Sequence, residues 1–201
     1  MAAAATGTAE EAAATQMRPR LFTADEYERL VAVGILGYAE RVELIGGQIV
    51  ELNPIGPDHV WSVNDLTGSL ARVEGVVVSV QNPIRLGEHV EPQPDVVVLR
   101  TGGPRNRVPL AEHTLLIVEV ADTSLAHDRY TKAPLYARAG IPECWIVDLN
   151  GERIEVYREP SQAGYRTVRF VLRGESLTPA FAPDLTIEVD AILGPPATSA
   201  E

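Results

Sequence analysis

Apolar and polar positions along the chain alternate in short runs, a pattern that is typical of half-buried β-strands. Two such runs, Val42–Ile45 and 48–52, flank a Gly-Gly pair and predict a hairpin. A second alternating pair flanks Asn150-Gly151, which is a strong hairpin signal. Further strand-like runs occupy residues 76–78, 84–86, 96–99, 115–120, 143–148, 165–172 and 185–189. The chain is therefore predicted to be rich in strands.

Helical signals occur at two places in the first third of the chain. Thr23, followed three residues later by Glu26, is the signature of a capping box, so a short helix should begin there and end at Gly34 or Gly37. Pro57 favours the first turn of a second helix. The core-facing residues predicted for that second helix, which should end before Gly75, are Val60, Val63, Leu70 and Val73.

A third helix is expected to end at Ala139, with Gly140 as the residue that follows its last turn. Pro134 lies inside this stretch, and proline in a helix interior costs roughly 3 kcal/mol. The helix should therefore either begin near Thr131 or kink.

The order of elements, helix, hairpin, helix, several strands, helix and hairpin, predicts an α/β or α+β domain with a mixed sheet. Residues 20–193 are expected to form a single domain. The alanine-rich residues 1–19 are predicted to be a disordered tail, and residues 194–201 a C-terminal tail.

Composition narrows the class of protein. Hydrophobic residues make up 45% of the chain, and no apolar run approaches the length of a membrane span. The first residues lack the basic and apolar regions of a secretory signal. The single cysteine, Cys144, excludes an internal disulfide and a cysteine cluster for zinc, so a cytoplasmic protein is expected.

The net charge of −11 argues against a protein that coats DNA through a basic surface. It does not argue against an enzyme that meets phosphates through a local patch and a bound metal. Of the 17 lysine and arginine residues only Lys132 is a lysine, and a lysine differs from arginine in being a compact point charge with a tunable pKa. Chance is the alternative explanation for this single lysine.

Candidate chemistry lies in residues 94–132, where Asp95 precedes one apolar run, Glu119 ends another and Lys132 follows. Two carboxylates on neighbouring strand ends can hold Mg²⁺ or Mn²⁺, and the backbone carbonyl of Val120 is a candidate third ligand. Such a metal polarises a phosphoryl oxygen, and a nearby ammonium stabilises the developing charge. The alternatives are a solvent-facing strand start for Asp95 and a structural ion pair for Glu119.

These residues carry a resemblance to a known family. The matching stretches are Glu43-Leu44-Ile45-Gly46-Gly47, Pro54 with His59, Gln93-Pro94-Asp95, Glu119-Val120, Asp128, Lys132, Tyr136-Ala137, Gly140-Ile141-Pro142-Glu143 and Trp145-Ile146-Val147-Asp148. In this order they resemble the Uma-type family of restriction endonucleases, within the PD-(D/E)XK nuclease superfamily. The resemblance implies a restriction-endonuclease-like fold, with a mixed central sheet flanked by helices, and it implies Asp95 and Glu119 as metal ligands.

The chain departs from the superfamily pattern at Ala121, where that pattern has a lysine. In the Uma-type family the next helix supplies the lysine, and Lys132 matches that position. Glu43 and His59 also match family positions. Glu43 is a candidate for the metal site or its surroundings, and His59 for holding a water or a phosphate, with a backbone-bonded helix start as the alternative for His59.

Three further features stay open from the sequence alone. Gln93 is a candidate for the same cleft. Tyr136 lies four residues after Lys132, so it either orients the ammonium or belongs to the core. Arg100, Arg105 and Arg107 occupy a Gly/Pro-rich loop, where they either contact phosphates or are simply solvated.

The sequence thus predicts a metal-dependent endonuclease acting on DNA, with Asp95, Glu119, Lys132, Glu43 and His59 as catalytic residues. Asp95, Glu119 and Val120 are the predicted ligands of Mg²⁺ or Mn²⁺. The expected partner is a nucleic acid, with no membrane association and with a homodimer as the assembly. Two alternatives remain, a catalytically inactive binding or assembly module of the same fold and a structural dimer that pairs exposed strands.

Overall fold

The computed structural model describes residues 18–37, 40–103 and 105–196. Helices and strands follow one another as α1 (Ala24–Ala32), β1 (Val42–Ile45), β2 (Gln48–Glu51), α2 (Pro57–Leu70), β3 (Val76–Val80), β4 (Val96–Arg100), β5 (Thr114–Ala121), α3 (Leu125–His127), a π-helical turn (Asp128–Lys132), α4 (Ala133–Arg138), β6 (Glu143–Asp148), β7 (Arg153–Ser161), β8 (Gly164–Leu172), β9 (Ser176–Leu177), β10 (Ile187–Glu188) and α5 (Val189–Leu193). A short 3₁₀ turn, Ala111–His113, precedes β5.

A six-stranded sheet with the order β3-β4-β5-β6-β7-β8 forms the centre of the domain. The pair β5 and β6 is parallel and every other neighbouring pair is antiparallel. The mixed sheet predicted from the sequence is therefore confirmed. Parallel pairing needs a long crossover, which α3, the π-helical turn and α4 supply.

Both faces of the central strands are covered, which explains why β5 and β6 are buried at every residue. On one face, called the α2 face, Leu66 and Leu70 of α2 and Ile192 of α5 pack against Val118 and Trp145. On the other, called the α4 face, Ala133 and Tyr136 pack against Val97, Ile117 and Ile146. Continuous apolar runs are the sequence mark of strands buried on both faces.

Several local predictions are confirmed. Thr23 and Glu26 form a reciprocal capping box at the start of α1. The hairpin β1–β2 turns at Gly46 and Gly47, both in the left-handed region, and a Cβ at Gly47 would collide with Leu21. Gly140, at φ +80°, follows the last turn of α4 as expected.

Other local predictions are wrong. Residues 84–86 form only an isolated bridge, between Arg85 and Leu110, and not a strand. Only two residues of the predicted strand 185–189 pair, because Val189–Leu193 forms a helix that buries Ile192 against α2. Val60 is 40% exposed, and Leu66 packs in the core in its place.

The remaining predictions about the chain ends concern residues 1–19 and 194–201. Residues 1–17 and 197–201 lie outside the described residues, so both predicted tails stay predictions. Within the described part of the chain, no helix is long and apolar enough to cross a membrane.

Candidate active site

A small cleft of about 70 Å³ opens where β5 ends and β4 begins. The residues predicted from the sequence that line it are His59, Gln93, Asp95, Glu119, Val120 and Lys132. Glu43 lies behind the cleft wall and is fully buried. The fold therefore brings the whole predicted set together from five elements that are far apart in sequence.

Asp95 and Glu119 project from the same face of the sheet. Side chains alternate between faces along a strand. Val97 and Ile117 both pack on the α4 face, and each lies two residues from one of the two carboxylates. The two carboxylates therefore share the α4 face, as one common cation would require.

Asp95 is held by donors on both of its oxygens. The ring Nε2 of His59 lies 3.0 Å from Oδ1, and the backbone N–H of Val120 donates to Oδ2 at 2.9 Å. Burial acts to raise the pKa of Asp95, but the contacts with His59 and Val120 outweigh it and lower the pKa. Asp95 is thus kept ionised.

The pKa of Glu119 is shifted in the opposite direction. Its Oε1 accepts hydrogen bonds from the ammonium of Lys132, at 2.8 Å, and from the hydroxyl of Tyr136. Burial is the main reason that the pKa of Glu119 rises to about 8, and the charges of Asp128 and Asp95 add to it against the lowering effect of Lys132. The cleft is therefore short of positive charge.

Lys132 is the last residue of the π-helical turn, and its side chain is almost fully buried. Its Nζ lies 2.8 Å from Glu119 and 3.4 Å from Oε2 of Glu43. Burial alone would lower the pKa of Lys132, but Glu119 and Glu43 raise it, so the ammonium stays charged. Among the described residues, Lys132 is the one cation placed between these two carboxylates.

The π-helical turn also resolves the conflict at Pro134. The helical segment begins at Leu125 and is interrupted by the π-helical turn, so it follows the predicted kink and does not begin at Thr131. Ala133 donates its N–H to the carbonyl of Asp128, five residues back, and Pro134 then falls in the first turn of α4. Proline has no N–H to donate, and in the first turn of a helix none is needed, so the wide π-helical turn accommodates Pro134. The same turn carries Lys132 toward the sheet.

Glu43 supports Lys132 from β1. Its Oε2 accepts the backbone N–H of Gln93 at 3.1 Å, and its Oε1 lies 3.5 Å from Nε2 of His127. Burial opposes ionisation of Glu43, but His127, Lys132 and Gln93 together lower its pKa. Within the described residues, Oε1 of Glu43 and Nε2 of His127 are buried without a hydrogen-bond partner. His127 lines the cleft, and Glu43 lies behind it.

Three residues at the cleft were not identified from the sequence as part of it. His127 precedes Lys132 by five positions. Residues with this spacing share one side of a π-helical turn but not of an α-helix, so a search for the α-helical period does not find His127. Asp128 is buried with a raised pKa, caused by burial, and accepts a hydrogen bond from Ser124. Gln81, in the left-handed region at φ +51°, donates to Asp95 at 3.3 Å.

The donor set suits a hard divalent cation. Four buried carboxyls, those of Glu43, Asp95, Glu119 and Asp128, surround one ammonium, so the cleft has an excess of negative charge. In a strand the N–H and C=O of one residue point to the same side, so the carbonyl of Val120 faces Asp95 as its N–H does.

This set does not enclose a cation by itself. In the described ranges, no three His, Cys, Asp or Glu side chains converge closely enough to hold a metal alone. The combination of Asp95, Glu119 and a backbone carbonyl matches the way in which Mg²⁺ is bound by one or two carboxylates and keeps several waters.

Comparison with known proteins agrees with this architecture. A crystal structure titled as that of "a putative nuclease belonging to DUF820" from Anabaena variabilis ATCC 29413 superposes with a TM-score of 0.66 at 17% sequence identity. The superposition covers 86% of this chain and 97% of that one. No curated protein matches the chain significantly. The similarity establishes the fold.

The family is established by sequence. Residues 24–190 match the Uma2 family, which is described as "Putative restriction endonuclease". The match spans α1 to β10 and includes Glu43, His59, Asp95, Glu119 and Lys132. The chain belongs to the Uma2 family.

Proposed function

We propose that the protein is a metal-dependent endonuclease that hydrolyses phosphodiester bonds in DNA. The observation that carries the proposal is the only lysine of the chain, buried with its ammonium 2.8 Å from Glu119 in the cleft of Asp95. Buried ionisable groups with perturbed pKa values in a cleft are typical of active sites. Membership of the Uma2 family supports the same activity.

Mg²⁺ or Mn²⁺ would be held by Asp95, Glu119 and the carbonyl of Val120. When bound, such a cation polarises a phosphoryl oxygen and acidifies a bound water. The excess of carboxyls in the cleft supports this assignment, because like charges held close together are costly without a cation.

The chain's own residues have separate roles. His59, Gln81 and the N–H of Val120 fix the carboxylate of Asp95, while the hydroxyl of Tyr136 fixes Glu119. Lys132 offers its ammonium to the attacking water and to the negative charge that develops on the phosphate. Glu43 holds Lys132 from behind the cleft wall, and His127, which lines the cleft, lies 3.5 Å from Glu43.

The proposal also takes in the organisation of the protein, as one domain over residues 20–193, a homodimer and a cytoplasmic enzyme. Two copies of one site suit cleavage of both strands of a duplex. Light scattering on the eluting peak of a gel-filtration column measures the assembly directly, and a monomer at working concentrations would contradict the dimer.

The alternative is an inactive binding module of the same fold. Two observations favour it: the acidic net charge of −11, and the use of Lys132 to neutralise two carboxylates already present. In such a module, Lys132 would serve stability alone.

Calorimetric titration with Mn²⁺ tests the metal assignment. Asp95→Asn and Glu119→Gln keep the shape of each side chain but remove its charge, so each should weaken Mn²⁺ binding at least about tenfold. Asp184→Asn, at an exposed position outside the cleft, is the matched control and should bind as the wild type does. Equal affinity in all four proteins would place the metal elsewhere.

A further inference from the structure

A second concave surface lies beside the cleft, between the edge strand β3 and the connection from β4 to β5. Its volume is about 710 Å³, ten times that of the cleft. The described residues that line it include Arg100, Arg105, Arg107, Asn82 and His113, and none of its described lining residues is acidic. This surface, called the β3 groove, is a basic patch on a chain whose net charge is −11.

The arginines of the β3 groove differ in their contacts from five other arginines of the described chain. The side chains of Arg100, Arg105 and Arg107 are exposed, and none forms an ion pair or a side-chain hydrogen bond within the described ranges. By contrast, Arg85, Arg129, Arg153, Arg158 and Arg173 all bind carboxylates. Guanidinium groups on a surface whose described lining contains no acidic residue are suited to an anionic partner, above all to phosphates.

The β3 groove and the cleft share no lining residue, but Gln81 connects them. Ser79 pairs with Val97, which packs on the α4 face, so Val77, Ser79 and Gln81 lie on the face that carries Asp95 and Glu119. Val78, Val80 and Arg100 alternate to the α2 face, so the β3 groove follows the edge of the sheet. Asn82, at one end of the β3 groove, directly follows Gln81, and the amide of Gln81 donates to Asp95. From Val77 to Gln81 a strand rises about 13 Å, which corresponds to about four base pairs along the axis of a duplex.

We propose that the β3 groove binds the phosphate backbone of the nucleic-acid substrate and guides it to Asp95 and Glu119. The proposal rests on the proposed nuclease function and names the surface through which an acidic protein holds a polyanion. Arg100, Arg105 and Arg107 contact phosphates away from the scissile bond, so they are positioning residues and recognise no particular base.

Fluorescence anisotropy in EDTA, where no cleavage contributes, tests binding separately from catalysis. The probes are a labelled DNA duplex, the single strand of the same sequence and the corresponding RNA. The test variant carries Arg100→Ala, Arg105→Ala and Arg107→Ala. The control carries Arg138→Ala, Arg166→Ala and Arg169→Ala, which remove the same charge from exposed positions at or near the opposite edge strand, β8.

The test variant should bind at least about tenfold more weakly at about 0.1 M salt, and the slope of log affinity against log salt should become shallower by about three. The control should keep the wild-type slope. Calorimetry should show unchanged Mn²⁺ binding in both variants. The probe that loses most affinity identifies the form of nucleic acid that the β3 groove holds.

Three outcomes would overturn the proposal: no binding by the wild type, equal losses in the test and control variants, or equal affinity of the wild type for polyglutamate. A wild type that binds through the three arginines but never cleaves would keep the β3 groove and refute the nuclease. A wild type that cleaves while the test variant binds normally would refute the role of the β3 groove and keep the nuclease.

Discussion

Two clusters of buried charge lie next to each other on the α4 face, and the π-helical turn contributes to both. Lys132, at the end of the turn, enters the cleft among the carboxyls of Glu43, Glu119, Asp95 and Asp128. Arg129, three residues earlier, binds both Glu155 and Asp148. Arg153 contacts the same two carboxylates. We call the first set the Lys132 cluster and the second the Arg129 cluster.

The clusters differ in their charge balance. In the Arg129 cluster two guanidiniums face two carboxylates, and the hydroxyl of Tyr157 donates to Glu155 at 2.6 Å. Burial acts to raise the pKa of Glu155, but Arg129 and Tyr157 lower it overall. In the Lys132 cluster one ammonium faces four carboxyls, and the pKa of Glu119 rises to about 8.

This difference separates a structural network from a candidate active site. A balanced buried network satisfies its own charges and holds elements together, here the π-helical turn against β6 and β7. An unbalanced one has capacity left for a proton, a cation or a substrate. The two clusters also differ in the type of cation. Arginine, used in the Arg129 cluster, suits fixed bidentate pairs, and lysine, used in the Lys132 cluster, suits a site where a compact charge must act.

The largest expected effect is on activity at Lys132. Lys132→Ala should reduce cleavage of plasmid DNA with Mn²⁺ by about a thousandfold, because the developing negative charge loses its ammonium. Mn²⁺ binding should be almost unchanged. Lys132→Arg should be nearly as inactive, since the bulkier, planar guanidinium does not replace a compact ammonium.

Arg138→Ala, at an exposed position on α4, is the control for the Lys132 variants and should cleave normally. Full activity in Lys132→Arg would reduce the single lysine to coincidence. A wild type that binds Mn²⁺ but does not cut would favour the inactive module.

The next effect is on stability, at Arg129. Arg129→Ala leaves Glu155 and Asp148 with Arg153 alone, so the free energy of unfolding should fall by about 3 kcal/mol. Urea denaturation measures this loss, with Arg138→Ala expected within about 0.5 kcal/mol of the wild type. A neutral Arg129→Ala would show that the Arg129 cluster contributes nothing to folding, contrary to the comparison.

The smallest effect, compared between about pH 6 and 8, is a difference in pH dependence. The pKa of Glu119 in the folded protein, about 8, lies above its ordinary value of 4.5. The folded state therefore holds the extra proton between these values, and the stability that this proton contributes is lost as pH rises toward 8. The side chain of Glu119→Gln does not titrate, so the stability of this variant should not fall in the same way. In EDTA, the free energy of unfolding of the variant minus that of the wild type should therefore rise with pH across this window, by at most about 1.4 kcal/mol per pH unit.

Glu155→Gln is the matched control for this pH dependence. The folded-state pKa of Glu155 is lowered, so its contribution is present above its ordinary pKa and is lost only as pH falls below it. Glu155→Gln should be destabilised by a constant amount from about pH 6 to 8. Urea denaturation at several pH values compares the two variants, and equal slopes would remove the distinction between the clusters.

The sequence carried much of this architecture in local patterns. The capping box at Thr23, the Gly-Gly hairpin and the continuous apolar runs of β4, β5 and β6 each depend on neighbouring residues, and each is confirmed. The strand predicted at 84–86 and most of the strand predicted at 185–189 were wrong, because an isolated bridge and the packing of α5 on α2 depend on distant partners.

The sequence by itself determined the class of fold, the family and the identity of the chemically useful residues, because a lone lysine and carboxylates within apolar runs are visible without coordinates. Only the tertiary structure decided which charges meet. The π-helical turn places His127 and Lys132 on one side and Arg129 on another, a division that a regular helical period does not give. The β3 groove depends on the pairing of β3 with β4, which is likewise a long-range contact.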